Sequence, residues 1–143
     1  LTLVMIKGHL AIVGNVGDSR TYRVRNGTIE RLTHDHSLVA HLAAIGQIAP
    51  DEVYTHPHRS YIYRALGAES EVQPDIATER LRGGDTLLLC SDGLWEMVRD
   101  DGIHQAVDGS ATADEAAARL VEMANGNGGE DNISVIVVKV HDA

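Results

Sequence analysis

Hydrophobic and polar positions alternate in short runs from the first residue onward. Residues 1–6 and 10–13 are two β-type runs joined by Lys7-Gly8-His9, which predicts a hairpin with glycine at its turn. Residues 21–25 and 28–32 flank Asn26-Gly27, the dipeptide favoured in a type I′ turn because both central positions need positive φ. That turn sets Val24 opposite Ile29 and Arg23 opposite Glu30, an apolar pair on one face and a charge pair on the other. From His36 the spacing becomes helical, with Leu38, Leu42 and Ile45 on one stripe and Gly46 placed to end a helix of about ten residues. Residues 47–60 carry Pro50 and Pro57 and little periodicity, and so predict an irregular surface excursion. Arg82-Gly83-Gly84-Asp85 is a turn leading into Thr86-Leu87-Leu88-Leu89-Cys90, a continuous apolar run suited to a strand buried on both faces. Thr112 with Glu115 makes a capping box, followed by a stripe of Ala117, Leu120, Val121 and Ala124 that closes near Gly126. Residues 133–140 form a last β-branched strand.

Several antiparallel strands with at least two helices predict an α+β fold, helices packed on sheet. The length of 143 residues fits a single domain over residues 1–143, and the opening inside a strand-like run reads as the start of a fragment. A truncated sheet edge of that kind invites self-association.

Composition changes this picture in three places. Aromatic residues are 3% of the chain and Phe is absent, so the core must be aliphatic. A formal charge of -9 argues against a nucleic-acid partner, which needs a concentrated basic surface, and leaves a cation as the better match. Cys90 is the single cysteine, so no internal disulfide exists, and its apolar setting suits a buried thiol in a reducing compartment, the cytoplasm. No window is long and apolar enough for a membrane span, and the first residues lack the basic start of a secretory signal.

The candidate chemistry lies with three aspartates at strand ends. Asp18 follows the second run, Asp92 follows the central strand and Asp131 precedes the last one, with Gly17, Gly93 and Gly129 close by to let the backbone turn. Taken singly, each Asp-Gly pairing is ordinary turn chemistry. Taken together, converging carboxylates repel one another, and a hard divalent cation with oxygen ligands, Mg²⁺ or Mn²⁺, relieves that repulsion. Such ions activate water and stabilise the oxygens of a transferring phosphoryl group.

Five motifs follow one another in a familiar order: Val16-Gly17-Asp18-Ser19-Arg20, Leu32-Thr33-His34-Asp35-His36-Ser37, Arg64-Ala65-Leu66-Gly67, Ser91-Asp92-Gly93-Leu94-Trp95 and Gly128-Gly129-Glu130-Asp131-Asn132. Through them the chain resembles the C-terminal portion of the catalytic domain of bacterial metal-dependent Ser/Thr protein phosphatases of the PPM (type 2C) family. The resemblance implies part of a four-layer α/β/β/α sandwich with antiparallel sheets and a bimetal centre at one end. It implies hydrolysis of phosphoserine and phosphothreonine in proteins by metal-activated water, without a covalent enzyme intermediate. Asp92 and Asp131 would be ligands of the first metal and act in catalysis through its water, while Asp18, helped by Asp92, would hold a weaker third metal. Phosphorylated proteins and a cognate Ser/Thr kinase with its targets are the partners implied, and a variable flap falls at residues 47–63.

The family's early phosphate-gripping Arg, its Asp-Gly-x-Gly-Gly motif bridging both metals and its candidate acid His have no counterpart in residues 1–15. The 143-residue chain alone is therefore expected to be inactive. Two other readings stand beside the first: a non-catalytic phosphatase-like module that binds or regulates, and a regulatory phosphatase acting on anti-sigma-factor antagonists. His34 with His36 and His56 with His58 are also spaced as two His-x-His zinc half-sites, although Asp35, His36 and Ser37 already match the start of a helix. Trp95 reads as packing beside the Asp92 loop, Arg20 as the partner of a carboxylate or carbonyl, and Asp85 and Asp114 as turn and helix-start residues.

Overall fold

The computed structural model describes residues 1–142, which build two antiparallel sheets face to face with a helical layer on one of them. The elements run β1 (Thr2–Lys7), β2 (Leu10–Asn15), β3 (Arg20–Arg25), β4 (Thr28–Arg31), α1 (Leu38–Ala44), a 3-10 turn (Pro50–Tyr54), β5 (Asp75–Arg80), β6 (Thr86–Cys90), α2 (Asp92–Trp95), α3 (Asp100–Asp108), α4 (Ala113–Gly126) and β7 (Val135–Lys139).

Both predicted hairpins form, the second in the predicted register. In the first, Lys7 pairs with Leu10 around a two-residue turn in which Gly8 takes the positive φ. In the second, Asn26 and Gly27 have φ of 51° and 72°, and Val24 faces Ile29 while Arg23 faces Glu30. The first sheet has the order β1-β2-β5 and the second β4-β3-β6-β7. β6 lies between β3 and β7, which is why its Leu87 and Leu88 are fully buried on opposite faces.

Each face of β6 has its own core. Leu87, with Ala11, Leu81, Val4, Leu32 and Val138, fills the space between the sheets. Leu88 and Cys90, with Tyr22 and Val24, meet Leu94, Val98, Ile103, Val107, Leu120 and Ala124 from α2, α3, α4 and their connections. The aliphatic core expected from the missing Phe is therefore present, and burial pushes the Cys90 thiol up to about 12, leaving it a packing group. The outer face of the first sheet is not covered: Leu3, Met5 and Ile76 are each more than half exposed there. The chain thus supplies three of the four sandwich layers, two sheets and one helical layer.

Several local expectations shift. α1 is shorter than ten residues, starts at the Ser37 cap and buries Val39, whereas Ile45 of the expected stripe faces solvent. In α4 the capping box forms as predicted, but the buried stripe is Ala116, Leu120 and Ala124, with Ala117 at its margin. The prolines at 50 and 57 do not exclude regular structure either. Pro50 opens the 3-10 turn, at a position where its missing N–H leaves no bond unmade.

Candidate metal centre

Asp18, Asp92 and Asp131 stand in three loops at one end of the sandwich, and main-chain contacts draw those loops together. Asp18 lies in the connection from β2 to β3. Its carbonyl accepts the Trp95 indole N–H at 2.9 Å, so the helix that Asp92 opens is anchored to the Asp18 loop. Gly93 packs directly on the loop before β7: a Cβ placed there would stand 2.5 Å from the Asn132 carbonyl oxygen and 3.2 Å from the Asp131 carbonyl carbon. Only glycine allows that approach. Ser91 completes the attachment, its Oγ donating to the Asn132 carbonyl at 2.9 Å and accepting the Ser134 N–H at 3.0 Å.

The charges of two of the carboxylates act on each other. Burial and then the negative charge of Asp92 push the Asp18 carboxyl from an ordinary 3.8 up to about 6, with Asp35 adding to the rise. A corner that resists a second negative charge is one that favours a cation. Asp131 is exposed and accepts the N–H of Asn132 at 2.6 Å, while one oxygen of Asp92 accepts the Gly93 N–H at 3.0 Å. The donor set is oxygen only, as hard cations prefer. It is not complete: among the described residues no group of three or more His, Cys, Asp and Glu side chains is assembled closely enough to hold a metal ion. Asp18 and Asp92 are brought together, Asp131 is brought to the same corner, and further ligands or waters are needed to close a coordination shell.

Zinc pairing is not supported. The His36 ring is buried and bonded to Gly17, and His56 and His58 lie in the excursion with the His58 N–H donating to the His56 Nδ1 at 3.1 Å. Arg20 pairs with a carboxylate as expected. Its guanidinium donates through Nε and Nη2 to Asp35 at 2.7 to 3.2 Å and covers the Trp95 ring at 3.5 Å. Asp85 is more than a turn residue: fully buried, it receives Arg25 through two bonds of 2.7 Å and the Arg82 N–H at 2.8 Å.

Sequence reading missed two groups around this corner. Arg59 in the excursion is no free polar group, since it reaches Glu96 beside the Asp92 helix at 3.4 Å and Glu130 beside Asp131 at 3.2 Å. Glu96 and Glu130 gave no signal of their own, although Glu130 stands inside a quoted motif. Tyr54 of the 3-10 turn packs edge-on against Trp95 at 6.0 Å, which ties the same excursion to the Asp92 helix.

Comparison with known proteins places this corner in context. Residues 48–141, more than half of the chain, match the family model described as Stage II sporulation protein E (SpoIIE). A Serine/threonine phosphatase stp of Listeria welshimeri is 40% identical over 136 residues, covering 95% of this chain and 54% of that protein. The crystal structure of Serine/threonine phosphatase Stp1 from Staphylococcus aureus superposes with a TM-score of 0.95 at 35% identity, over 99% of this chain and 56% of that one. The catalytic domain of serine threonine protein phosphatase PstP, solved in complex with 2 manganese ions, superposes with a TM-score of 0.90 at 37% identity, over 99% of this chain and 58% of that one. The chain thus spans about half the length of the relatives it matches.

Proposed function

Because the chain belongs to the PPM phosphatase family, through a SpoIIE-type domain that it covers in part, we propose that it is the metal-binding rear half of a protein Ser/Thr phosphatase. The observation that carries this reading is the corner where Trp95, Gly93 and Ser91 hold the Asp18, Asp92 and Asp131 loops against one another. Asp92 and Asp131 would hold the first Mn²⁺ or Mg²⁺, and Asp18, helped by Asp92, would hold the weaker third metal. When bound, the ions supply an activated water and neutralise the charge of a phosphate ester. The aspartates act by position: their loops fix the carboxylates, and the Asn132 and Gly93 N–H groups each donate to one oxygen of Asp131 and Asp92 respectively. Substrates are phosphoserine and phosphothreonine in proteins, phosphorylated by a cognate kinase in signalling, and the compartment is the cytoplasm. The buried free thiol of Cys90 supports that compartment; among the described residues no helix is long and apolar enough to cross a membrane.

A second reading, a non-catalytic module, draws on the incomplete ligand set among the described residues. The uncovered edge strand β1, with Leu1, Leu3 and Met5 exposed, supports self-association of the chain by pairing of sheet edges. One experiment separates enzyme from module. In the complete protein, Asp92→Asn and Asp131→Asn should each abolish Mn²⁺-dependent hydrolysis of a phosphoserine peptide while circular dichroism shows retained folding. Near-wild-type rates in either variant at saturating Mn²⁺ would refute the assignment.

A further inference from the structure

His36 lies next to the Asp18 loop but is not one of the carboxylates, and its ring is 3% exposed. Its bonds are unusually directed for a packing residue. The Gly17 N–H donates to its Nδ1 at 3.1 Å, and the His36 main-chain N–H donates back to the Gly17 carbonyl at 2.9 Å, so one residue clamps both polar groups of Gly17. Nδ1 accepts and therefore bears no hydrogen, which leaves the ring proton on Nε2. Nε2 faces the Asp75 carboxylate at 3.1 Å, at the start of β5. Arg64 holds the other Asp75 oxygen at 2.9 Å and approaches Nε2 itself at 3.1 Å. The His36 ring first, and Arg64 after it, keep the Asp75 carboxyl below the usual carboxylate range.

The same residue is joined through its main chain to the return limb of the excursion. Tyr63 N–H donates to the His36 carbonyl at 3.0 Å, and Leu38 N–H donates to the Tyr61 carbonyl at 2.9 Å. A continuous path of contacts runs from Tyr61, Tyr63 and Arg64, through the His36 ring and Asp75, to Gly17 and so to Asp18. Gly17 has φ of +101°, a conformation that only glycine holds without strain. The Asp18 loop is thus shaped from outside, by His36, rather than by its own sequence alone.

We infer that His36 is a positioning residue that sets the Asp18 loop and makes its placement depend on the return limb and the start of β5. What the placement means for cation binding rests on the reading of Asp18 given above; the path of contacts does not. A buried His that merely fills space would need neither Gly17 nor Asp75, and this difference is measurable.

Amide hydrogen exchange by NMR on the metal-free 143-residue chain tests it. In His36→Ala, exchange at Gly17 should accelerate about tenfold or more, as expected for one lost hydrogen bond, while amides of β3 and β6 keep their protection. His36→Asn, whose Oδ1 stands where Nδ1 stood, should restore Gly17 protection without the link to Asp75. Asp75→Ala should accelerate Gly17 exchange in the wild-type background and have no effect in the His36→Asn background. Unchanged Gly17 exchange in His36→Ala, acceleration spread equally over β3 and β6, or an Asp75→Ala effect of the same size in both backgrounds would overturn the inference. Should His36→Ala not fold, the His36→Asn and Asp75→Ala pair decides alone. Mn²⁺ titration of the same wild-type sample keeps the two readings apart, because absence of binding would count against the metal centre while the exchange pattern still decides the role of His36.

Discussion

Replacing Asp18 by Asn should stabilise the metal-free protein, and the gain should follow pH in a defined direction. The folded-state carboxyl is raised from 3.8 to about 6 by burial and by Asp92. Between these values the folded state binds more protons than the unfolded chain, so stability falls as pH rises through that window and stays lower above it. A rise of about two units corresponds to about 3 kcal/mol if none of it is screened. Asp18 is only partly buried, and solvent screening reduces the figure to about 1–2 kcal/mol. Asn keeps the size and hydrogen-bonding capacity of the side chain but cannot ionise, so Asp18→Asn should gain about that amount at pH 7.5 in EDTA. Near pH 4.5 the gain should shrink to roughly half, because a large part of the wild-type carboxyl is then protonated in the folded state. Urea unfolding followed by circular dichroism at the two pH values measures both numbers. Saturating Mn²⁺ should reverse the order at pH 7.5, since a ligand bound to the folded state stabilises only the form that holds it. An Asn variant no more stable than wild type at pH 7.5, or a gain independent of pH, would refute the claim that burial and Asp92 together disfavour the charged form of Asp18.

Gly93→Ala should cost about 1–3 kcal/mol and displace the Asp131 loop, because the added methyl meets main-chain atoms at 2.5 Å that cannot rotate away; thermal unfolding and the Asp131 amide shift check this. Asp35→Ala leaves Arg20 buried and unpaired and should destabilise by about 3–5 kcal/mol in urea unfolding. The 143-residue chain alone should hydrolyse p-nitrophenyl phosphate with Mn²⁺ negligibly, and turnover comparable to an intact family member would contradict that. In the complete protein, His56→Ala with His58→Ala should change rates on phosphopeptides severalfold and leave p-nitrophenyl phosphate nearly unchanged. Arg59, bonded to Glu96 and Glu130, belongs structurally to the corner of the Asp92 and Asp131 loops, so its replacement should affect both substrates.

What was legible in the sequence was what a few neighbouring residues decide. Asn26-Gly27 dictates its own turn and hence the register of Arg23 and Val24. Thr112 and Glu115 cap one helix end without help from elsewhere. The apolar run of β6 admits no exposed face. β5 escaped notice because its inward side carries Ala77 and Glu79 while its outward side carries Ile76, so polarity does not follow the period of two. Glu79 tolerates the inward position because it forms an ion pair with Arg23 of β3, across the sheets. α3 does carry Ile103, Ala106 and Val107 at helical i, i+3 and i+4 spacing behind Asp100 and Asp101, a short signal that Gly102 weakens. In each case the stabilising partner lies far along the chain, and no window of sequence contains it.

The candidate site follows the same division. Three Asp-Gly neighbourhoods were visible as types, but nothing local distinguishes a ligand from a turn. The separation comes from contacts between distant residues: Trp95 on the Asp18 carbonyl, Gly93 under Asn132, and His36 on Gly17. All three act on the backbone of the aspartate loops, not on the carboxylates. That choice has a physical reason. A side chain bonded to a carboxylate would compete with a cation for its oxygens, whereas a bond to the adjacent main chain fixes position and leaves the charge free. Asp35 and Asp85 show the contrast, since both are buried, both are neutralised by arginine, and both have their oxygens engaged within the protein. Asp18, with its backbone held and no arginine on its carboxyl, has its charge disfavoured by burial and by Asp92, and the proposed cation role rests on that contrast with Asp35 and Asp85.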